Sequence, residues 1–597
     1  MRKPPYRSSS CLHSASICLL VAMLLVSLVQ AEDFRCEATD ATQIWVSPSQ
    51  PRMGESVKIM AISTEAPVTQ LLTIDQQGRR TSLSTRHRGG PPWTAIAEIE
   101  SLSTDQTKIV AERNGTAIAC HSITASGSTQ PNRNHIWNRA TEAFYSAWIE
   151  ELFGIPHDES LALSSLEPVL RDPRRNFLYN YLGLDEDKKL PLTPDCADLP
   201  YTLRAYFAWK VGLPVAYRAC NRGSATSPPR CSAPSIMSEF VRNTPSPTQF
   251  TRFSRQLVDA VHSGSARTSL SDESSDLYPL SLDRNHLWPG TVYADPYGHV
   301  LVLVEWVPQT ADRPGMLLAV DAQPDNSVTR KRVWEGTLLF ADTDNAGPGF
   351  KAFRPLVPAS ANRWRVLTNA ELTGSTEFQP FSMQQSELTP EDFHAHLAGL
   401  INPQGLDPRQ AYDATFAALV EQVTTRITSV NNGEAYVRKH PREVIAMPSG
   451  AAIFQTLGPW EDYSTPSRDM RLIIAIHVLQ QLPEKITRHP GLFRLQDQSP
   501  EQARKEIERY HTLRTGEYQI SYTRSDGSPW SLTIAEILAR RSAFEIAYNP
   551  NDCVEIRWGA ESGSDEYATC RRHAPAAQRT KMEQYRPWFR EARRPAR

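Results

Sequence analysis

Thiol chemistry needs three groups: a sulfur that can give up its proton, a base to take it, and a third group that holds the base in one tautomer. The stretch PDCADLPYTLRAYFAWKVGLPVAYRAC, Pro194 to Cys220, sets Cys196 between two aspartates just ahead of an amphipathic run. Leu203, Tyr206, Phe207 and Val211 fall on one face of that run at helical spacing. The free amides and positive end of a helix N-terminus lower a thiol pKa. Pro200 is tolerated only in a first turn, so the helix is expected to begin at Asp198 with Cys196 just before it. Asp198 acts in the other direction, because negative charge beside a sulfur opposes its ionisation.

Among the histidines, His299 is the expected base. It follows a glycine turn and opens the apolar run Val300 to Val307, which reads as a buried strand. His477 lies in the apolar LIIAIHVLQQL and reads as a hydrogen-bonded core residue. His394 and His396 are two apart on a helical stretch and do not face each other, so no metal site is expected there. For the orienting group, Asp321 ends the next apolar strand, and antiparallel pairing would bring it near His299. Asp325, Asn326 and Asp295 are close alternatives.

A thiol left free is informative only in an oxidising compartment. Arg2, Lys3 and Arg7, then ICLLVAMLLVSLV, then the small-residue exit at Ala31 read as a secretory signal over 1–31. No later stretch approaches the ~20 apolar residues of a span, so an exported, periplasmic or extracellular protein with no membrane span after signal removal is expected. Removing the signal's three basic residues from the formal charge of −2 leaves −5, which gives no reason to expect nucleic acid as partner. Seven cysteines remain after the signal, an odd number. Cys220 and Cys231 bracket a turn-rich segment, Cys553 and Cys570 bracket what reads as a hairpin, and Cys36 and Cys120 end a strand-rich segment. That pairing leaves Cys196 alone; its pairing with Cys220 or Cys231 is the alternative.

The elements that must hold these residues fall into three blocks. Residues 32–126 alternate short apolar-polar runs with turns such as QQG and RNG, which argues for a β-sandwich of six or so strands. Its pattern resembles bacterial immunoglobulin-like accessory domains. Asn114 in NGT fits a glycosylation acceptor but reads as a turn residue. Residues 127–384 mix helix and strand and carry a Ser/Pro/Arg-rich insert at 220–289, placed to cover a groove. Residues 385–597 read as mostly helical, with Ser464 or Thr465 capping a helix that starts at Pro466.

The DC pair at a helix start, followed about sixteen residues later by Gly212-Leu213-Pro214, resembles the nucleophile helix of transglutaminase-like cysteine proteins. GHVLVLVEW and LLAVDAQPDN are similar to that family's His strand and Asp strand. PGTVYADPYGHVLVL is also similar to the Pro-Gly-Asp and His-Val-x-Ile signature of NlpC-type cell-wall peptidases, another branch of the papain-like superfamily. The resemblance covers roughly residues 135–345. It implies a central α+β papain-like (transglutaminase-like) domain with Cys196 as nucleophile, His299 as base and Asp321 as orienter. The implied activity is an exported thiol-dependent peptidase or amidase that passes through a thioester, with a peptide or peptidoglycan substrate and no cofactor or metal. A transglutaminase-type transamidase and a catalytically inactive envelope binding protein are the rival expectations.

Overall fold

The computed structural model describes residues 41–595 apart from 104–105, 125–135, 158, 160, 239–245, 324–325, 342, 344, 361–362 and 455–457. The expected signal, Cys36, Asp325 and the linker at 125–135 lie outside the described residues. Alternation over residues 42–124 produces eight strands: β1 (Thr42–Ser47), β2 (Val57–Ser63), β3 (Gln70–Ile74), β4 (Arg80–Ser82), β5 (Arg86–Arg88), β6 (Trp93–Ile99), β7 (Gln106–Arg113) and β8 (Thr116–Thr124). They form two four-stranded sheets, β1-β2-β6-β5 and β4-β3-β7-β8. The extra strands are the three-residue β4 and β5, too short and polar to show alternation. Asn114 and Gly115 close the β7–β8 hairpin, both at positive φ, 52° and 81°. The pleat turns Ile44 and Val46 into the sandwich core, and it turns Trp45 out, where it stacks on Phe144 at 4.2 Å.

Phe144 belongs to α1 (Arg139–Phe153), whose start is fixed by Asn138 accepting from the Thr141 amide at 2.9 Å. The next long helix, α2 (Asp198–Val211), starts where the position of Pro200 requires and stops at Gly212 with φ 74°. It is not amphipathic as its sequence suggests: every residue from Leu199 to Val211 is buried. The physical reason is that its charged residues are neutralised internally. Arg204 pairs with Glu142 at 2.6 Å and lies 3.3 Å over the Trp137 ring, and Lys210 pairs with Asp187 at 2.6 Å.

The insert is built into the central core and also contributes Arg222, Ser224 and Arg267 to the wall of a cavity. Cys220 and Cys231 are joined, and α3 (Pro247–Ala260) buries Phe250, Phe253 and Leu257 in the central core, with Phe250 stacked on Trp209 at 4.3 Å. Beneath α2 lies a seven-stranded antiparallel sheet of β9 (Ala162–Leu163), β10 (Leu277–Pro279), β11 (Val292–Ala294), β12 (Val300–Val307), β13 (Met316–Ala322), β14 (Val328–Arg332) and β15 (Gly349–Phe353). Its order is β10-β15-β11-β12-β13-β14-β9, so the insert supplies an edge strand. β12 is buried along its whole length, as a continuous apolar run requires.

The C-terminal region is helical around its own core. Its main helices are α4 (Pro408–Lys439), α5 (Pro466–Arg488), α6 (Pro500–Glu517) and α7 (Ala576–Arg590). Thr465 precedes α5 without capping it, because its hydroxyl instead accepts from Arg557 at 3.3 Å. Cys553 and Cys570 are bonded, yet they bracket a short helix at Val554–Arg557 rather than a hairpin. The hairpin of this region is Gln519–Thr523 with Pro529–Thr533, turned at Gly527 with φ 92°. Cys120 is also disulfide-bonded, and among the described residues Cys196 is the free cysteine. Among the described residues no helix is long and apolar enough to cross a membrane.

Candidate active site

Cys196 stands two residues before α2, half-buried. Asp195 organises the turn around it: its carboxylate accepts from the amides of Ala197 at 2.8 Å and Asp198 at 3.1 Å, and its carbonyl accepts from Leu199 at 3.0 Å. The Cys196 amide is left with no hydrogen-bond partner among the described residues. The backbone amide of Val300, the residue after His299, lies near enough to the sulfur to favour its ionised form.

The thiol differs from expectation. It is pushed up to about 12, by burial first, then by Asp195, with Asp321 and Asp198 adding; only the Val300 amide opposes this. The helix start does not activate the sulfur because Asp195 takes its leading amides and places a negative charge there. Asp198 is itself pushed up to about 8, by burial and then by Asp195, so at neutral pH it is mostly uncharged. The thiol therefore rests protonated beside the charges of Asp195 and Asp321.

His299 is delivered by a tight turn. The Asp295 carboxylate accepts from the Tyr297 amide at 2.6 Å, the Asp295 amide donates to the His299 carbonyl at 2.8 Å, and Gly298 takes φ 115°, a conformation open to glycine. Asp295 therefore holds the turn and not the ring. β12 pairs with β13 with Val302 opposite Val320; continuing that register sets Leu301 opposite Asp321 and His299 on the adjacent diagonal of the same face. Nε2 of His299 donates to Oδ2 of Asp321 at 2.7 Å. Nδ1 has no hydrogen-bond partner among the described residues and is the nitrogen left for the thiol.

Asp321 is fully buried and gathers four donors from one face of the sheet. Thr329, directly opposite on β14, donates to Oδ1 at 2.6 Å, and Gln323 donates to Oδ2 at 2.8 Å. Lys331, on the other diagonal, donates to Oδ2 as well. Burial alone would raise this carboxyl, but the His299 hydrogen bond and the Lys331 charge hold it far below the usual range, so it stays ionised. His299 is lowered below 6.5 by burial foremost; Asp321 opposes this, and Lys331 and Arg471 reinforce it. The ring is neutral at pH 7.

Cys196 thus lies by the start of β12, the strand that follows His299 and its partner Asp321, and the charges of Asp321 and Lys331 reach the sulfur. Asn326 sits in the turn after β13 at φ 67°. Thr329, Lys331 and Gln323 were not anticipated. Their signal was the period-two spacing in SVTRKR and in DAQ, which puts them on the Asp321 face. The Val300 amide has no counterpart in sequence. His477 is not a core residue: it is exposed and, with His394, lines a cavity of about 770 Å³ between the His299 turn and the helical region. Among the described residues, Cys553, Glu555 and Cys570 have ligand spacing, but those two sulfurs are bonded to each other.

No family model matches the chain, and no curated protein or solved structure matches it.

Proposed function

We propose that this chain is an exported, papain-like thiol hydrolase that cleaves amide bonds in peptides. The observation that carries the reading is the arrangement of a free cysteine against the strand start that bears His299, whose far nitrogen is held by the buried Asp321 at 2.7 Å. Disulfides at Cys220–Cys231 and Cys553–Cys570 fit an oxidising compartment.

With the thiol protonated and the ring neutral at rest, proton transfer accompanies attack. Nδ1 of His299 takes the Cys196 proton as sulfur bonds to the carbonyl carbon, and the carbonyl oxygen becomes an oxyanion that the unpartnered Cys196 amide is placed to bind. Collapse breaks the C–N bond, and the imidazolium returns its proton to the leaving amine. Water, deprotonated by the same nitrogen, then attacks the thioester and releases a carboxylate and the free thiol. Asp321 keeps the ring in the Nε2–H tautomer and stabilises the imidazolium.

Incubation of the full mature chain with peptidoglycan stem peptides in ¹⁸O-water tests this. The expected products are a new amine and a new carboxylate carrying one ¹⁸O, both absent with Cys196→Ala. Product formation by Cys196→Ala would overturn the nucleophile assignment. A cross-linked product with ammonia release and no ¹⁸O would make the chain a transamidase. Absence of any turnover across peptides, with peptide still bound, would make it a binding protein.

A further inference from the structure

The cavity of about 770 Å³ beside the His299 turn has the size of a ligand site, and its walls come from both the sheet rim and the helical region. Pro296 and Tyr297, in the same turn as His299, form part of its lining. Its charge is one-sided. Glu335 is neutralised by Lys485 and Glu591 by Arg593. Arg471, Arg541 and Arg594 make no ion pair among the described residues, and each has a buried Nε–H without a hydrogen-bond acceptor; Arg594 also donates from Nη2 to Ser467 at 3.4 Å and feels the charge of Asp295. Arg541 and Arg594 line the cavity. Arg471 lies one turn from the lining residue Ile474 on α5, and its charge reaches His299 and Lys331.

Buried guanidinium N–H groups without acceptors are costly, and two of them on the wall of one cavity, with Arg471 one turn from its lining, call for an anion. A bare oxyanion would satisfy the charge but leave the apolar part of the lining, such as Leu338, Phe340 and Ile474, unused. We infer that this cavity binds the acidic flank of a peptide whose scissile amide lies at Cys196, with side-chain or terminal carboxylates on Arg541 and Arg594. The identification of the ligand as substrate rests on the hydrolase reading; the carboxylate site itself rests on the cavity.

Binding is measured by calorimetry on the full mature chain carrying Cys196→Ala, so that no turnover intervenes. The probes are N-acetyl tetraglutamate amide, its glutamine counterpart and inorganic phosphate. The glutamate peptide is expected to bind, more weakly as NaCl is raised, and the glutamine peptide not to bind. Arg541→Gln is expected to weaken glutamate-peptide binding about tenfold or more, and Arg541→Lys, which keeps the charge but loses the guanidinium fork, to weaken it less. Arg594→Gln gives the same comparison should Arg541→Gln melt abnormally. Equal binding of the glutamine peptide, phosphate binding as tight as the peptide, or unchanged affinity in both glutamine variants would overturn the inference. Because the thiol is absent from this assay, binding without hydrolysis by the wild type would sink only the hydrolase reading, and hydrolysis without arginine-dependent binding only this one.

Discussion

Lys331 is bonded to the Asp321 oxygen that also receives the His299 ring. The carboxylate thus serves two cations-in-waiting: a permanently paired ammonium and an imidazole that becomes charged during the reaction. Its two duties separate experimentally. Asp321→Asn removes the tautomer lock and leaves the half-buried Lys331 without its counter-ion. The expected losses are about 10²–10⁴-fold in kcat by the triad argument and ~1–3 kcal/mol of stability by the partly desolvated, unpaired charge. Adding Lys331→Met should return most of the stability and none of the activity. Urea unfolding and kcat on the same preparations read the two effects, and joint recovery would deny Asp321 a role beyond pairing Lys331.

The resting protonation states fix the pH behaviour. His299 acts as base only when neutral, and its pKa lies below 6.5, so the acid limb of kcat/KM is expected below pH 6.5. Lys331→Met removes a positive charge beside the ring and should move that limb upward. The thiol, pushed up to about 12, should alkylate with a rate that keeps rising with pH. Mass-spectrometric labelling of Cys196 by iodoacetamide checks this, and a plateau below pH ~8.5 would contradict the buried, acid-flanked sulfur.

What the sequence disclosed of the site follows from local rules. Pro200 and Gly212 bound α2, Gly298 and the apolar run locate β12, and strand adjacency brings Asp321 to His299. What stayed hidden depends on packing. The thiol's high pKa comes from burial and from the folding back of Asp195, neither visible in spacing. α2 reads as amphipathic because its Arg204 and Lys210 look like surface residues, and their acid partners lie up to 62 residues away. The hairpin misread at Cys553–Cys570 is a case of disulfide spacing being compatible with more than one local fold.

The contact between sandwich and central core carries a second titrating group. Glu150 on α1 is pushed up to about 8, by burial first; Glu305 and Glu151 add to this, and Arg88 and Arg284 oppose it. A carboxyl whose folded pKa exceeds its unfolded value of 4.5 stabilises the fold below that value and loses this contribution as pH rises through about 8. Glu150→Gln keeps the neutral shape. Its melting temperature should match the wild type at pH 5 and exceed it at pH 9, as scanning calorimetry at the two pH values would show. Equal values at both would mean that Glu150 ionises freely in the fold.

In the helical region the decisive charge is Asp469. Both of its oxygens accept from Arg426, at 2.9 and 3.0 Å, with both side chains fully buried. Arg557 lies close enough that burial, then Arg426, push its guanidinium down to about 9, while Asp469 raises it. Asp469 therefore balances two cations at the start of α5, the helix that carries Arg471 toward His299. Asp469→Ala should cost ~3–5 kcal/mol, because it strands a buried guanidinium beside a second one. Asp469→Ala with Arg426→Met should recover at least half of that, since a shape-matched apolar pair removes the unpaired charge. Urea unfolding followed by tryptophan fluorescence measures both. A loss below ~1 kcal/mol for the single variant would mean that the pair lies open to water, and α5 would then lack the anchor that sets Arg471 at the site.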